Sequence, residues 1–374
     1  MTDLMLPPDT GTDHRYPEAS TDNELLDDFD GRLRCSSVTD ITHDVRSFSF
    51  TLDDRAQLRF TPGQYLTLQV PVDGVPVERC YTISSAPADA DELTITVKRV
   101  PDGPVSNWLH DHLRVGDVLG ASGPLGAFSS DLHPAEQLVL LSAGSGITPV
   151  MSMLREMINR GSTQQIRFIH SARTPDDIIF RAELEWLDTY PNVDVTIICE
   201  ADSATENWQG PTGRLSPAVL LKAAPDLLGS EIFTCGPAPY MAAVREMVDL
   251  LGVDPGRYHE ESFVLGTPGA PLAPSTTETP SADAPTTATH LVEFRRAGRT
   301  IDCDASTSIL TAASAAGIPL PSSCGEGVCG SCKQDLLSGE VDMQHAGGIR
   351  PKEIRQGKVL LCSAKPTSDL IIDA

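Results

Sequence analysis

Hydrophobic and polar positions alternate with a period of two through the first third of the chain. "VRSFSFTL" (Val45–Leu52), "QYLTLQVPV" (Gln64–Val72), "CYTISS" (Cys80–Ser85) and "ELTITVKRV" (Glu92–Val100) are short runs of this kind, set off by turn-rich stretches such as "VDGVP" and "ADADE". The pattern predicts half-buried strands and a small antiparallel barrel over residues 31–133. Further on the period changes. "QLVLLSAG", "QIRFIHSA", "VDVTIICE" and "EIFTCGP" are continuous apolar runs, and helical stretches such as "PVMSMLREMINRG" and "PYMAAVREMVDLLG" separate them. Strands buried on both faces with helices between them predict a doubly wound parallel sheet over residues 134–265. A third module spans residues 289–374. There "HLVEFRRAGRTIDCDA" predicts a hairpin turning near Ala297-Gly298, and "SILTAASAAG" a short helix.

Two segments lack any such pattern. Residues 1–30 carry nine acids against one base, Arg15, and are expected to be a disordered tail. "GTPGAPLAPSTTETPSADAPTTAT" is almost entirely Pro, Ala, Ser, Thr and Gly. It is expected to be a linker over residues 266–288, and a flexible chain of that length spans roughly 27 Å.

The length of 374 residues agrees with two or three cores. The formal charge of −24 argues against nucleic acid or an anionic membrane as partner. From Thr289 onward the ten acids and nine bases nearly cancel. No apolar run is long enough for a membrane span. The start, "MTDLMLPPDTGTDH", lacks the basic and apolar regions of a signal peptide, so a cytoplasmic location is expected. Nine cysteines is an odd count. With no export signal and four of them in a pattern, a metal site is expected rather than disulfides.

That pattern is "SSCGEGVCGSCKQD" followed by "KVLLCSAK". Cys324, Cys329 and Cys332 are spaced C-x4-C-x2-C, and Cys362 follows after twenty-nine residues. This is the ligand spacing of a [2Fe–2S] centre; zinc sites usually use two C-x2-C knuckles instead. Gly325, Gly327 and Gly330 interleave the ligands and let backbone N–H groups turn toward the sulfur atoms. Cys303, Cys35, Cys80 and Cys199 are read as packing residues. The whole third module resembles a plant-type ferredoxin, which implies a β-grasp fold and a one-electron carrier.

In "RCYTISS", Arg79 can pair with a pyrophosphate, Tyr81 can lay its ring on an isoalloxazine, and Thr82 can hydrogen-bond its reactive edge. Ser85 closes the motif. "VKRVPDGPVSNWLH" offers Lys98, Gly103, Val105 and Ser106 for a phosphate-holding turn. With "GASGPLGAF", these stretches make the barrel and the α/β module resemble the ferredoxin–NADP reductase superfamily. The resemblance implies a flavin at the seam of the two modules. FMN serves some relatives with a similar motif, but "GPLGAF" points to FAD.

In "LLSAGSGITPVMSML", Gly144 and Gly146 let the backbone approach a pyrophosphate, and Thr148 and Pro149 open a helix whose amides face it. No third glycine completes a Rossmann fingerprint. In "TCGPAPYM", Cys235, Gly236 and Pro237 end a strand. The superfamily resemblance puts this cysteine beside the nicotinamide, positioning the ring rather than attacking it. It also implies that Glu261 and Phe263 of "HEESF" lie near the flavin, although the chain continues past Phe263. Arg173 stands alone beside Asp176 and Asp177, which disfavours a 2′-phosphate and points to NADH. His170 is read as a strand-end residue.

These parts imply an NADH-dependent oxidoreductase passing electrons from NADH to FAD to [2Fe–2S] to an external protein. Thr82, Cys235 and Glu261 are its candidate catalytic residues. The module order resembles reductase components of Rieske-type oxygenases. The C-terminal stretch resembles those paired with glycine betaine-type demethylating monooxygenases, and also the reductase of hybrid-cluster protein. A stable electron-transfer subunit of a larger dehydrogenase complex is the alternative of another class.

Overall fold

The computed structural model describes residues 25–52, 56–89, 92–262, 288–318, 320, 325, 327, 330, 332–345 and 347–374. The expected linker over 266–288 lies outside these residues, as do Phe263, Cys324 and Cys329, apart from Ala288 at the linker's end.

The first module contains β1 (Leu25–Leu26), β2 (Phe29–Thr42), β3 (Val45–Leu52), β4 (Gln57–Leu58), β5 (Tyr65–Val72), β6 (Val75–Thr82), β7 (Leu93–Lys98), α1 (Pro104–His112) and β8 (Val118–Leu125). Six strands form an antiparallel sheet in the order β6-β5-β8-β2-β3-β7. An Ile83–Ile95 bridge brings its two ends together and curls it into a barrel. The β5–β6 hairpin turns on Asp73 and Gly74, with φ of 51° and 78°. Two adjacent positive φ values suit the right-handed twist of the flanking strands.

Residues 1–24 of the expected tail lie outside the described residues, and residues 25–30 belong to the barrel. β1 pairs in parallel with β4, and Phe29 is 8% exposed within the barrel core. The acidic composition hid this. Asp27, Asp28 and Asp30 keep their charges outward in ion pairs, while the apolar residues between them anchor the chain.

The second module contains β9 (Gln137–Ala143), α2 (Ile147–Asn159), β10 (Gln165–Ala172), α3 (Arg181–Leu187), β11 (Val193–Cys199), α4 (Pro217–Ala223), β12 (Glu231–Gly236), α5 (Ala238–Leu251) and β13 (Tyr258–Ser262). The sheet is wholly parallel in the order β11-β10-β9-β12-β13. The order reverses at β9, a topological switch point whose carboxyl end is the usual ligand crevice of such sheets. Barrel residues Val45 and Phe128 belong to this module's hydrophobic core. Two hydrogen bonds reinforce the seam: Ser152 Oγ donates to Ser85 O at 2.8 Å, and Ala88 N–H donates to Glu156 Oε2 at 2.9 Å.

The third module contains β14 (Thr289–Phe294), β15 (Arg299–Asp304), α6 (Ile309–Ala315), β16 (Lys333–Ser338), β17 (Val341–Met343), α7 (Pro351–Arg355), β18 (Lys358–Leu360), β19 (Ala364–Pro366) and β20 (Leu370–Ile372). Its mixed sheet runs β15-β14-β20-β16-β18, with β14 and β20 parallel at the centre. Ser308 caps α6 by accepting from Thr311 N–H at 3.3 Å. Its core contains no residue of the other two modules.

Candidate redox site

The flavin motif lies at the end of β6, where Thr82 pairs with Tyr65 of β5. Thr82 is 5% exposed, and its Oγ1 is buried with no hydrogen-bond partner among the described residues. A buried hydroxyl normally has a partner, so this one fits a ring edge bound at the seam. Tyr81 beside it is half-buried, and burial pushes its phenol pKa up. Arg79 donates to Glu78 O at 2.7 Å and keeps its guanidinium on the partly exposed side of the strand. Ser85 is buried; its Oγ accepts from Thr94 N–H at 3.1 Å and its carbonyl accepts from Ser152. Its role is therefore to fix the motif against both modules.

The second candidate stretch folds as a turn into α1. Gly103 is the N-cap. Ser106 Oγ closes the turn, accepting from Val100 N–H and donating to Gly103 O, each at 3.2 Å. Val105 points into the barrel core. Lys98 does not stand free for a phosphate: its Nζ lies 2.9 Å from Asp44. Arg173, from the nicotinamide module, reaches the same carboxylate at 3.6 Å and Asp177 at 2.9 Å. The structure thus joins Lys98 and Arg173 across one acidic side chain at the inter-module seam.

Gly144 and Gly146 follow β9 and lead into α2. Gly144 has φ +51° and open space where a side chain would stand, which fits backbone approach to a ligand. Gly146 serves a different purpose. A side chain there would collide with the Cys235 carbonyl and the Gly236 amide, so this glycine lets the ends of β9 and β12 close. Thr148 Oγ1 donates to Ser145 O at 3.2 Å, and Pro149 is buried in the first turn of α2. Pro237 is the N-cap of α5. Cys235 is fully buried and paired in register with Glu261 of β13. Burial, and then the neighbouring Glu261, push the Cys235 thiol pKa well up. The thiol stays protonated and can pack against a ring but not attack as a thiolate. Glu261 itself is 5% exposed. His170 is fully buried, with Nδ1 2.9 Å from Ser142 Oγ, and is a core residue.

In the ferredoxin-like module, Cys332 Sγ and Cys362 Sγ lie 3.1 Å apart. Gly327 N–H donates to Cys362 Sγ at 3.2 Å, and Cys362 N–H donates to Cys332 Sγ at 3.4 Å. Gly325, Gly327 and Gly330 have φ of +76°, +72° and +73°. Convergent sulfurs, amides turned toward them and left-handed glycines fit an iron–sulfur cluster. Cys303, Cys35 and Cys199 are buried, as packing residues should be; Cys80 is half-buried on β6.

Arg350 carried no signal of function in the sequence. It joins the ferredoxin-like module to the barrel, bonding Asp28 at 2.9 Å and Phe29 O at 3.3 Å. The pattern "RPKE" did signal a helix start there, with proline inside the first turn and an acid at N3; Arg350 is the N-cap of α7. Its partner Asp28 could not be foreseen from a segment read as disordered.

Three family models match the chain in succession: an oxidoreductase FAD-binding domain over residues 32–129, an oxidoreductase NAD-binding domain over 140–246, and a 2Fe-2S iron-sulfur cluster binding domain over 292–367. Fold and site together define an oxidoreductase that carries FAD, a nicotinamide nucleotide and a [2Fe–2S] cluster in consecutive modules. The chain is 42% identical to the glycine betaine monooxygenase reductase subunit of Pseudomonas aeruginosa, over 91% of this chain and 94% of that one. It is 37% identical to the stachydrine N-demethylase reductase subunit of Rhizobium meliloti and 34% to NADH oxidoreductase HCR of Escherichia coli, each over 91% of this chain and 96% and 97% of theirs. It belongs to this family of FAD and iron–sulfur reductases. Among solved structures, phthalate dioxygenase reductase superposes with a TM-score of 0.56 at 27% identity, over 92% of this chain and 98% of that one. Among the described residues no helix is long and apolar enough to cross a membrane.

Proposed function

We propose that the protein takes a hydride from NADH and delivers electrons singly to a separate Rieske-type oxygenase, of the class that demethylates quaternary amines such as glycine betaine. When bound, FAD supplies two-electron acceptance with one-electron release, and the [2Fe–2S] cluster supplies one-electron carriage. The acceptor class rests on the likeness to the glycine betaine and stachydrine reductase subunits; the observation that carries the internal relay is the approach of the third module to the flavin motif. Gly347 packs backbone to backbone on Gly126 of the barrel, and a Cβ on it would lie 3.2 Å from Gly126 Cα. Gly348 N–H donates to Gly327 O in the cluster loop at 2.9 Å. On the barrel side, Gly126 abuts the Tyr65 ring, and Tyr65 pairs with Thr82. A short route with one through-space step, from Gly126 to Gly347, therefore links the candidate flavin threonine to the cluster loop.

We assign the residue roles from the motifs and, for the described residues, from the contacts given above. Thr82 orients the reactive ring edge, Tyr81 covers the ring, and Arg79 with the Gly103–Ser106 turn faces the phosphates. Gly144 and the first amides of α2, at Thr148, hold the NADH pyrophosphate. Cys235, with Gly236 and Pro237, sets the nicotinamide position, and burial, with Glu261 on the neighbouring strand, keeps its thiol neutral. Phe263 is assigned to the flavin's outer face. Arg173 is already shared by Asp44 and Asp177, which leaves little positive charge for a 2′-phosphate and favours NADH. Cys324, Cys329, Cys332 and Cys362 hold the cluster.

The test is reconstitution with an amine-demethylating Rieske oxygenase and its substrate, following NADH consumption and demethylated product. Coupled turnover with NADH, and much less with NADPH, is expected. NADH consumption that no such oxygenase accelerates contradicts the assignment. The 34% identity to NADH oxidoreductase HCR supports a second reading, with hybrid-cluster protein as acceptor; the same assay with that acceptor separates them.

A further inference from the structure

The two seams of this molecule are built from different materials. The barrel and the nicotinamide module share a hydrophobic core through Val45 and Phe128. Among the described residues the ferredoxin-like module shares no core with either. What joins it to the barrel is the glycine contact and a set of ion pairs. Asp28 lies 2.9 Å from Arg350 and 2.8 Å from Lys352, and Asp30 lies 3.6 Å from Arg350. Between these partners is a cleft of about 490 Å³, bordered by Asp27 and Asp28 on one side and Arg350, Lys352 and Arg355 on the other. Arg350 is also tied within its own module to Glu353 at 3.0 Å, and Lys333 reaches Glu353 at 2.7 Å. Arg350 is thus positioned in part by its own module.

This face borders the cluster loop. Residues 345–350 lead directly into α7, and within them Gly348 bonds to Gly327. An electron must enter and leave a cluster where its loop comes close to another protein surface. The side that meets the barrel is lined with cations facing carboxylates.

We infer that the Arg350–Lys352 face is a single docking surface used in turn by the barrel and by the external acceptor, and that the acceptor offers it carboxylates as Asp28 and Asp30 do. The inference rests on the proposal that electrons leave the cluster for a separate protein. The Asp28–Lys352 pair is more than a third exposed on both sides and therefore weak and screened by salt, which suits a contact that must form and break during turnover; Arg350, buried in the seam, gives the contact its direction. Charge complementarity then sets the rate of encounter and the choice of partner. Each event is balanced: one reduced cluster loses one electron, and one acceptor centre gains it.

The experiment compares the full-length holoprotein with Asp28→Lys, Lys352→Asp and the charge-swapped double variant. Small-angle scattering of the oxidised proteins reports whether the third module is seated. Stopped-flow mixing with NADH reports cluster reduction. Mixing chemically pre-reduced protein with cytochrome b5, an acidic haem protein, or cytochrome c, a basic one, reports the outward step alone. NADH-to-dye activity, which needs no cluster, should match the wild type in all three variants and so certifies folding.

Asp28→Lys is expected to enlarge the radius of gyration and slow cluster reduction roughly 5- to 10-fold, with outward transfer to cytochrome b5 undiminished. Lys352→Asp should slow both the inward step and transfer to cytochrome b5, but not transfer to cytochrome c. The swap should recover the inward step only. An Asp28→Lys protein that stays compact and reduces its cluster at the wild-type rate overturns the latch. A Lys352→Asp protein that passes electrons to cytochrome b5 at the wild-type rate overturns the shared surface. Failure of every oxygenase to accept electrons would remove the functional assignment while leaving the scattering and cluster-reduction results to decide the latch.

Discussion

At the scale of single residues, the chemistry rests on groups whose environments are set by burial. The unpartnered Thr82 hydroxyl is the clearest. Thr82→Val should slow flavin reduction by NADH by roughly 10- to 100-fold, since a positioned hydrogen-bonding group is lost; Thr82→Ser should keep most of the rate in the same stopped-flow assay. Cys362→Ser should abolish cluster absorbance and one-electron delivery while NADH-to-dye activity survives. His170 makes a pH prediction. Burial pulls its pKa from 6.5 down to about 3, so the fold binds this proton less readily than the unfolded chain does. Stability is then complete above about pH 6.5 and falls at about 1.4 kcal/mol per pH unit below it. His170→Gln should remove about 2 kcal/mol of the loss between pH 6.5 and 4.5, measured by urea unfolding of the nicotinamide module. At this scale the sequence was legible where special residues recur at fixed spacing: the cysteine pattern falls in the stretch that matches a 2Fe-2S domain, and the Gly144–Pro149 turn joins a strand to a helix as expected. Lys98 was not: it was expected at a phosphate-holding turn, and its carboxylate partner Asp44 lies too far away in sequence to leave a local pattern.

At the scale of elements, legibility follows regularity. β3 was predicted with its observed bounds because its alternation is unbroken. The 14-residue β2 was not, because bulges between Cys35 and Ser37 and between Asp40 and Thr42 shift its register twice. β13 was missed as a strand because its polar sequence, "YHEES", gives no apolar run. Turn glycines were recognised, but their reasons were not always the ones expected. Gly146 is required by the Cys235 carbonyl. Gly146→Ala should therefore cost ~1–3 kcal/mol, as overpacking does, and raise KM for NADH. Gly144→Ala, with open space before it, should be milder in stability. The N-terminal segment divides by the same logic. Removing residues 1–24 should leave the melting temperature and flavin content unchanged. Removing 1–30 also deletes β1 and Phe29 from the barrel core, so the melting temperature should fall by several degrees, checked by calorimetry.

At the scale of the whole molecule, the arrangement is a fixed pair with a third module held by charge. The barrel and nicotinamide module share a core, so their cofactor sites keep one geometry, as hydride transfer demands. The third module has a core of its own and ion pairs at its seam, which suits passage of single electrons to more than one surface. The module order was legible from changes in hydrophobic period, and the ferredoxin-like fold from the cysteine spacing. The seam was not, because ion pairs between residues over three hundred positions apart leave no local pattern. The most direct test of the relay is an anaerobic NADH titration of the purified holoprotein, recording flavin and cluster absorbance together with electron paramagnetic resonance. The account predicts that NADH bleaches the flavin and then brings up the signal of a reduced [2Fe–2S] cluster with no other protein present. A flavin that is fully reduced beside a cluster that stays oxidised, although a mediated redox titration reduces that cluster at or above the potential of NADH, would contradict it.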